Sequence, residues 1–177
     1  MKTTRRGLMA GALAVPTLAG LASWRWQHGE DSVLLHDATL AAGRRFAEAG
    51  RAAGGRMLAL GRDPIRLAQE VSRERPALIA GLSSYADALL FEEAAAEQGF
   101  VRVASINGHP ARCLSADCHS GWNSLARLVE SAGPAWVEAL ATYAAKPGRG
   151  VEALSPAIAP RHSDRGQVFG WVMTRRA

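Results

Sequence analysis

The chain has 177 residues, of which 48% are hydrophobic and 21% charged, and its formal net charge is +5. This size and apolar content predict one domain with a single hydrophobic core. Basic and acidic residues are interspersed along two predicted helices, which is typical of solvated helix faces and argues against a nucleic-acid-binding surface. These residues are Arg44, Arg45, Glu48 and Arg51, then Arg66, Glu70, Arg73, Glu74 and Arg75.

Near the N-terminus, a pair of arginines precedes a weakly hydrophobic segment without charged residues. Arg5 and Arg6 precede an uncharged segment that extends from Gly7 to Ala22, and small residues stand just before Trp24. This order of features is that of a secretory signal peptide, and the arginine pair resembles that of twin-arginine signal peptides. The resemblance implies export by the twin-arginine translocation machinery and a periplasmic mature chain.

Cleavage after residue 22 changes the charge balance. The segment 1–22 holds three of the 21 basic residues and no acidic one, which leaves 18 basic against 16 acidic residues. A mature chain near +2 requires neither nucleic acid nor a membrane as partner. The alternative is an uncleaved anchor in the inner membrane, with Trp24 and Trp26 at the interface. With cleavage, residues 23–32 form a linker and residues 33–177 a single α/β domain.

Short apolar strands alternate with helices over the first part of this domain. Strands are predicted at 33–35, 56–60, 77–80 and 100–106, and helices at 40–53, 65–75 and 86–98. Two further helices (122–132 and 134–145), an irregular segment (146–166) and a strand (168–174) follow. Such alternation is typical of parallel strands joined by helical crossovers. We therefore expect a three-layer α/β/α domain with a mostly parallel sheet of about five strands, Rossmann-like or flavodoxin-like.

Polar residues follow the predicted strands, at the edge where open α/β sheets bind ligands. The ligand-binding candidates there are Asp37, Asp63, Ser83, Ser84, Tyr85, Asn107 and His109. Asp37, Asp63 and Ser84 also stand where a helix takes its N-cap, and capping is the commoner use of such residues. The sequence thus predicts a polar rim that could hold a small ligand, and it leaves catalytic residues unassigned.

A small esterase-like hydrolase is a weaker alternative. Ser83 or Ser84 could act as nucleophile at a strand-to-helix turn, with His36 or His109 as base. The glycine-flanked elbow G-x-S-x-G is absent from the sequence. Phosphate-binding loops, a G-x-G-x-x-G after the first strand and the zinc motif H-E-x-x-H are absent as well.

The two cysteines, Cys113 and Cys118, lie close together, and His119 follows directly. In an exported protein the first expectation is a disulfide that closes a small loop, worth about 2 kcal/mol through chain entropy. A metal ion held by Cys113, Cys118, His119 and His109 is the alternative. A stretched form of the haem motif C-x-x-C-H is a third option. The twin-arginine route disfavours it, because haem is normally attached to an unfolded chain.

The sequence as a whole favours a non-catalytic exported domain without a cofactor, which binds a small molecule or accompanies another exported protein. The first alternative is a periplasmic redox or metal-binding protein centred on the cysteine loop. Four aromatic residues are expected in the core rather than in a ligand pocket. They are Trp122, Trp136, Phe169 and Trp171.

Overall fold

The computed structural model describes residues 31–108, 111–113, 122–146, 164 and 168–176. The strands are β1 (Ser32–His36), β2 (Arg56–Ala59), β3 (Leu78–Ser83), β4 (Phe100–Gly108), β5 (Ala111–Cys113) and β6 (Phe169–Arg175). The helices are α1 (Ala41–Ala52), α2 (Pro64–Arg73), α3 (Tyr85–Ala96), α4 (Asn123–Ala132) and α5 (Trp136–Ala145). The predicted alternation of strands and helices is confirmed, and β5 is an additional strand.

The predicted signal peptide, at 1–22, lies outside the described residues, as does most of the predicted linker. Within the described part of the chain, no helix combines the length and the apolar character needed to cross a bilayer.

The sheet is mixed, so the expectation of a mostly parallel sheet is wrong. Six strands lie in the order β2-β1-β3-β6-β4-β5. β1 pairs in parallel with β2 and β3, whereas β6 pairs antiparallel with both β3 and β4, and β5 pairs antiparallel with β4. The first four strands therefore run in one direction, as helical crossovers require. The sheet becomes mixed because β6 inserts between β3 and β4.

The composition of β6 explains its place near the middle of the sheet. Its first six residues are buried. Phe169, Trp171 and Met173 pack into one hydrophobic core, and Val172 packs into the other. A strand that is apolar on both faces buries the largest apolar area where helices cover both sides of the sheet.

The two cores lie on opposite faces of the sheet. On the first face α1, α4 and α5 pack over strand residues that include Leu34 and Ala80. On the second face α2 and α3 pack over Leu35 and Ile79. The α/β class is therefore confirmed, with helices on both sides of the sheet. The four aromatic residues expected in the core (Trp122, Trp136, Phe169 and Trp171) are all buried.

Candidate functional site

A crevice lies between β1 and β3 at the carboxyl ends of these neighbouring strands. β1 leads into α1 on one face of the sheet, and β3 leads into α3 on the opposite face. The chain leaves β1 toward β2 on one side and leaves β3 toward β4 on the other, so the strand order reverses between β1 and β3, and α/β sheets bind ligands at such a point. The residues that border this gap are 37–42, which follow β1, and 83–85, from the end of β3 to the start of α3, and they are called the β1–β3 crevice below. The N–H of Asp37 donates to the carbonyl of Leu82 at 3.0 Å and joins the two strand ends.

The loop after β1 is held by hydrogen bonds within its own neighbourhood. Asp37 Oδ1 accepts from the N–H and the hydroxyl of Thr39, at 2.8 and 2.6 Å. Arg44 Nη1 donates to the carbonyls of Ala38 and Thr39, at 2.8 and 3.2 Å. The prediction that Asp37 is an N-cap is wrong, because its carboxylate forms an Asx turn instead. α1 starts only after Leu40, which offers no side-chain cap.

The cap of α1 comes from far along the chain. Asp164 Oδ1 accepts the N–H of Ala41 at 2.5 Å, and its Oδ2 accepts the N–H of Ala42 at 2.9 Å. The first N–H groups of a helix have no partner inside the helix and carry its positive partial charge, so they bind anions. The first turn of α1 therefore binds a carboxylate in this structure, and that carboxylate belongs to Asp164.

Gly43 allows α1 to start so close to the end of β1. A Cβ atom at this position would lie 1.9 Å from the carbonyl oxygen of Asp37. Only a residue without a side chain permits this approach of the helix backbone to the loop. The anion-binding turn of α1 is thereby placed at the mouth of the crevice.

The serine at the end of β3 is committed to structural hydrogen bonds. Ser83 is fully buried. Its hydroxyl donates to the carbonyl of Ser84 at 2.8 Å and accepts from Trp171 Nε1 at 3.2 Å. The hydroxyl is thus neither exposed nor bonded to a histidine of the described chain, which gives no support to Ser83 as a nucleophile.

Ser84 and Asp63 are N-caps, and both capping predictions are confirmed. The hydroxyl of Ser84 accepts the N–H of Asp87 at 3.1 Å and donates to its Oδ2 at 2.8 Å. Asp63 Oδ1 accepts the N–H of Arg66 at 2.9 Å, with Pro64 as the first residue of α2. Asp63 follows the edge strand β2, whereas Ser84 borders the crevice.

Three of the predicted site residues meet around Phe169. Ser83 and Asn107 are its register neighbours, one on β3 and the other on β4. The ring of Tyr85 meets the ring of Phe169 edge-on with centroids 5.2 Å apart, and Tyr85 stays 55% exposed. The inserted strand β6 thus separates Ser83 from Asn107 and places an aromatic residue between them.

His36, the last residue of β1, is a buried histidine beside the crevice. Its side chain is 6% exposed, and its Nδ1 has no hydrogen-bond partner among the described residues. Burial lowers the pKa of this imidazole, the charge of Arg51 lowers it further, and Asp37 opposes both. The lowered pKa favours the neutral form of this imidazole near pH 7.

The predicted cysteine site falls largely outside the described residues. This applies to Cys118, His119 and His109. Cys113 is the last residue of β5 and pairs with Ile106 of β4. Among the residues that the structure describes, no three His, Cys, Asp or Glu side chains are grouped closely enough to hold a metal ion. The disulfide and the metal site stay predictions.

Sequence reasoning missed Asp164, the residue with the clearest contact in the crevice. The sequence held no signal for it, because the start of α1 after Leu40, and not directly after Asp37, is seen only in the structure. Comparison with known proteins adds no candidate residue, since no protein-family model, curated protein or solved structure matches the chain.

Proposed function

We propose that this chain is an exported, non-catalytic domain that binds a small molecule with a carboxylate or phosphate group in the β1–β3 crevice. The observation that carries the proposal is the carboxylate of Asp164 on the N–H groups of Ala41 and Ala42. The same N–H groups can donate to the carboxylate or phosphate of a ligand. In the ligand-free chain, Asp164 then acts as a tethered substitute for the anion of the ligand.

The location of this contact supports the proposal. In doubly wound, Rossmann-like sheets, the N-terminus of a helix that follows a strand at the switch point binds the anionic part of the ligand. α1 has the same relation to β1 in this chain. Tyr85 begins α3 on the other side of the gap, and its ring lies against Phe169 of β6, the strand on the far side of β3 from β1.

A ligand must displace Asp164 to bind there. A group tethered by a short segment has an effective concentration on the order of millimolar at its own site. Asp164 lies shortly before β6, which is anchored in the sheet. A free anion therefore competes poorly until its other contacts add affinity. Removal of the Asp164 carboxylate should strengthen the binding of a simple anion.

A thermal-shift titration tests this function. Wild type and Asp164→Ala are each titrated with inorganic phosphate, with acetate and with glucose as a neutral control, at constant ionic strength. We expect phosphate and acetate to raise the Tm of Asp164→Ala more than that of wild type, with no effect of glucose. Asp63→Ala is the matched control, because it uncaps α2 outside the crevice and Pro64 offers no N–H there. Equal responses of the two variants, or no response, would contradict the proposal.

A redox or metal-binding function is the second candidate, favoured by the position of β5. Cys113 pairs with the residue just before Asn107, so the loop to Cys118 and His119 starts near the carboxyl end of β4. Intact mass before and after reduction and alkylation, with metal analysis, tests it. A mass two hydrogens below the dithiol without metal supports a disulfide. Bound metal, or thiols that are readily alkylated, would support a metal-binding or redox function of this loop.

Export to the periplasm is the second part of the proposed function, and the mass and location of the mature chain test it. The paired arginines and the uncharged run up to residue 22 support passage through the twin-arginine machinery into the periplasm. The intact mass of protein recovered from the periplasm should correspond to a chain that begins near Ser23 or Trp24. A full-length mass in the membrane fraction would instead support the uncleaved anchor.

A further inference from the structure

The outward face of helix α3 combines large apolar side chains with acidic ones. Tyr85, Leu89 and Leu90 are 55%, 41% and 45% exposed. Glu93 and Glu97 are exposed at the C-terminal end of the same helix. Residues four positions apart share one face of a helix, so Leu89 is followed on this face by Glu93 and then by Glu97. The α3 outer face, as it is called below, consists of these five residues with the exposed Ala86 and Ala96.

The apolar part of the α3 outer face stands out among the described surfaces. Elsewhere in the described part of the chain, Ile65 is the one large apolar side chain with comparable exposure. Large apolar side chains that are grouped on a surface mark an interaction site, whereas single ones are ordinary. The group on α3 therefore indicates a contact surface.

Every charged side chain of α3 is acidic. Asp87 is hydrogen-bonded to the N-cap of the helix, and Glu92 pairs with Arg102 at 2.6 Å. Glu93 and Glu97 form no ion pair with any residue that the structure describes. They lie at the negative end of the helix dipole and four positions apart, so they are repelled by the dipole and by each other. The α3 outer face thus carries unpaired negative charge directly beyond its apolar residues.

These charges disfavour a membrane and a second copy of this chain as the occupant. Helices that bind a membrane surface carry Lys or Arg on their polar face, and α3 has neither. In a second copy the same face is acidic, so contact between the two faces would oppose like charges. A partner that covers Leu89 and Leu90 must therefore bring positive charge to Glu93 and Glu97.

We propose that the α3 outer face binds a basic amphipathic helix of another protein. The apolar side chains of that helix cover Leu89 and Leu90, as when an amphipathic helix docks on an apolar surface. Its Lys or Arg side chains lie beside Glu93 and Glu97, where opposite charges favour this partner over others. Binding there does not require an anion at the first turn of α1, because α1 and α3 cover opposite faces of the sheet.

The contact is small, and this sets its strength. A helix of 12 residues is about 18 Å long. One helix laid along it buries less than the roughly 800 Å² per partner of a standard stable interface. We therefore expect weak and rapidly reversible binding.

An NMR titration of the ¹⁵N-labelled chain with two synthetic peptides tests the contact. One peptide is an amphipathic helix of leucine and lysine, and the other has glutamate in place of each lysine. The lysine peptide should cause saturable amide shifts along α3, and the glutamate peptide should bind about tenfold or more weakly, because its charges oppose those of the α3 outer face. Equal binding of the two peptides, or no saturable shift on α3 with the lysine peptide, would overturn the proposal.

Paired substitutions on α3 identify the residues that make the contact. Leu89→Gln with Leu90→Gln should weaken binding of the lysine peptide by about tenfold or more, since central apolar side chains dominate such contacts. Glu93→Gln with Glu97→Gln should weaken it several-fold through the loss of charge. All four side chains are exposed, so circular dichroism should show the fold intact. An unchanged affinity of the leucine pair would contradict the assigned surface.

A matched control separates this contact from attraction to net charge. Glu48→Gln with Glu70→Gln removes the same charge from exposed positions of α1 and α2 and should bind the lysine peptide like wild type. Equal weakening by this pair would mean that the peptide binds acidic residues indiscriminately, against the proposal. Sedimentation equilibrium of the chain alone and flotation with anionic vesicles test the other occupants. Dimers or vesicle binding that the leucine pair abolishes would assign the face to a second copy or to a membrane instead.

Discussion

Asp164 and Ala42 lie 122 positions apart in the chain, yet the Oδ2 atom of Asp164 accepts the N–H of Ala42 at 2.9 Å. This contact joins the segment before β6, the last strand of the described residues, to the first turn of α1, their first helix. β6 is itself held between β3 and β4. The final part of the chain therefore completes both the sheet and the mouth of the β1–β3 crevice.

Removal of the Asp164 carboxylate should destabilise the start of α1. Asp164→Ala leaves the N–H groups of Ala41 and Ala42 without an acceptor. Loss of an N-cap side chain costs about 1 kcal/mol of folding free energy. Urea denaturation measures the loss, and hydrogen exchange should show faster exchange at these two amides. Asp164→Asn keeps an acceptor oxygen and should lose less. Unchanged exchange at both amides in the alanine variant would contradict the assigned cap.

Gly81 should tolerate no side chain. A Cβ atom there would lie 2.1 Å from the indole ring of Trp171, which rests on the backbone of β3 at this point. We expect Gly81→Ala to lower the free energy of unfolding by about 1–3 kcal/mol through overpacking, as measured by urea denaturation. Gly61→Ala is the control, because a methyl group added at Gly61 would have no atom within 4 Å. Similar denaturation midpoints for the two variants would show that the Trp171 contact is not as described.

The hydroxyl of Ser83 should matter for stability and not for covalent chemistry. Ser83→Ala removes the acceptor for Trp171 Nε1, which is then buried without a partner. Such an unsatisfied donor costs about 1–3 kcal/mol. Ser131→Ala removes an exposed serine hydroxyl and should be close to neutral. We also expect no label on Ser83 from a serine-reactive phosphonate. A stoichiometric phosphonate adduct on Ser83 would contradict this prediction and support the hydrolase alternative.

His36 should make stability depend on pH below neutrality. Burial, and to a lesser extent Arg51, holds the pKa of His36 below the ordinary value of about 6.5. Below that value the unfolded chain binds a proton that the folded chain does not, so stability falls with decreasing pH. The fall is at most about 1.4 kcal/mol per pH unit and ends below the pKa of the folded state.

The variant His36→Leu isolates this contribution. It removes a buried Nδ1 that has no partner among the described residues, so we expect it to be at least as stable as wild type near pH 7.5. The difference in unfolding free energy between His36→Leu and wild type should grow as the pH falls from 6.5 to 5. Urea denaturation of both proteins across this range measures the difference. Parallel pH profiles would mean that His36 is protonated normally in the folded chain.

Local spacing was enough to predict the direction of the first four strands and two of the helix caps. Each strand–helix–strand unit determines its own crossover, and the caps at Asp63 and Ser84 act on amides three residues away. Asp37 failed as a cap because the loop continues to Leu40 before α1 starts. The residue types were suited to capping, but the length of the loop was not apparent from them.

The position of β6 and the role of Asp164 could not be predicted in the same way. Both depend on pairing between distant parts of the chain, which no local pattern specifies. The apolar residues on both faces of β6, Trp171 on one side and Val172 on the other, indicate a central strand. They do not indicate which strands become its neighbours. The sheet is mixed because β6 lies between β3 and β4.

An NMR titration of the backbone amides with inorganic phosphate tests the anion-binding crevice most directly. It is done on ¹⁵N-labelled wild type and Asp164→Ala. We predict saturable shifts at Ala41, Ala42 and Tyr85 in the variant, at lower phosphate concentration than in wild type. Shifts that never saturate, or that appear equally at the N-terminus of α2, would show that the first turn of α1 is only a capped helix end.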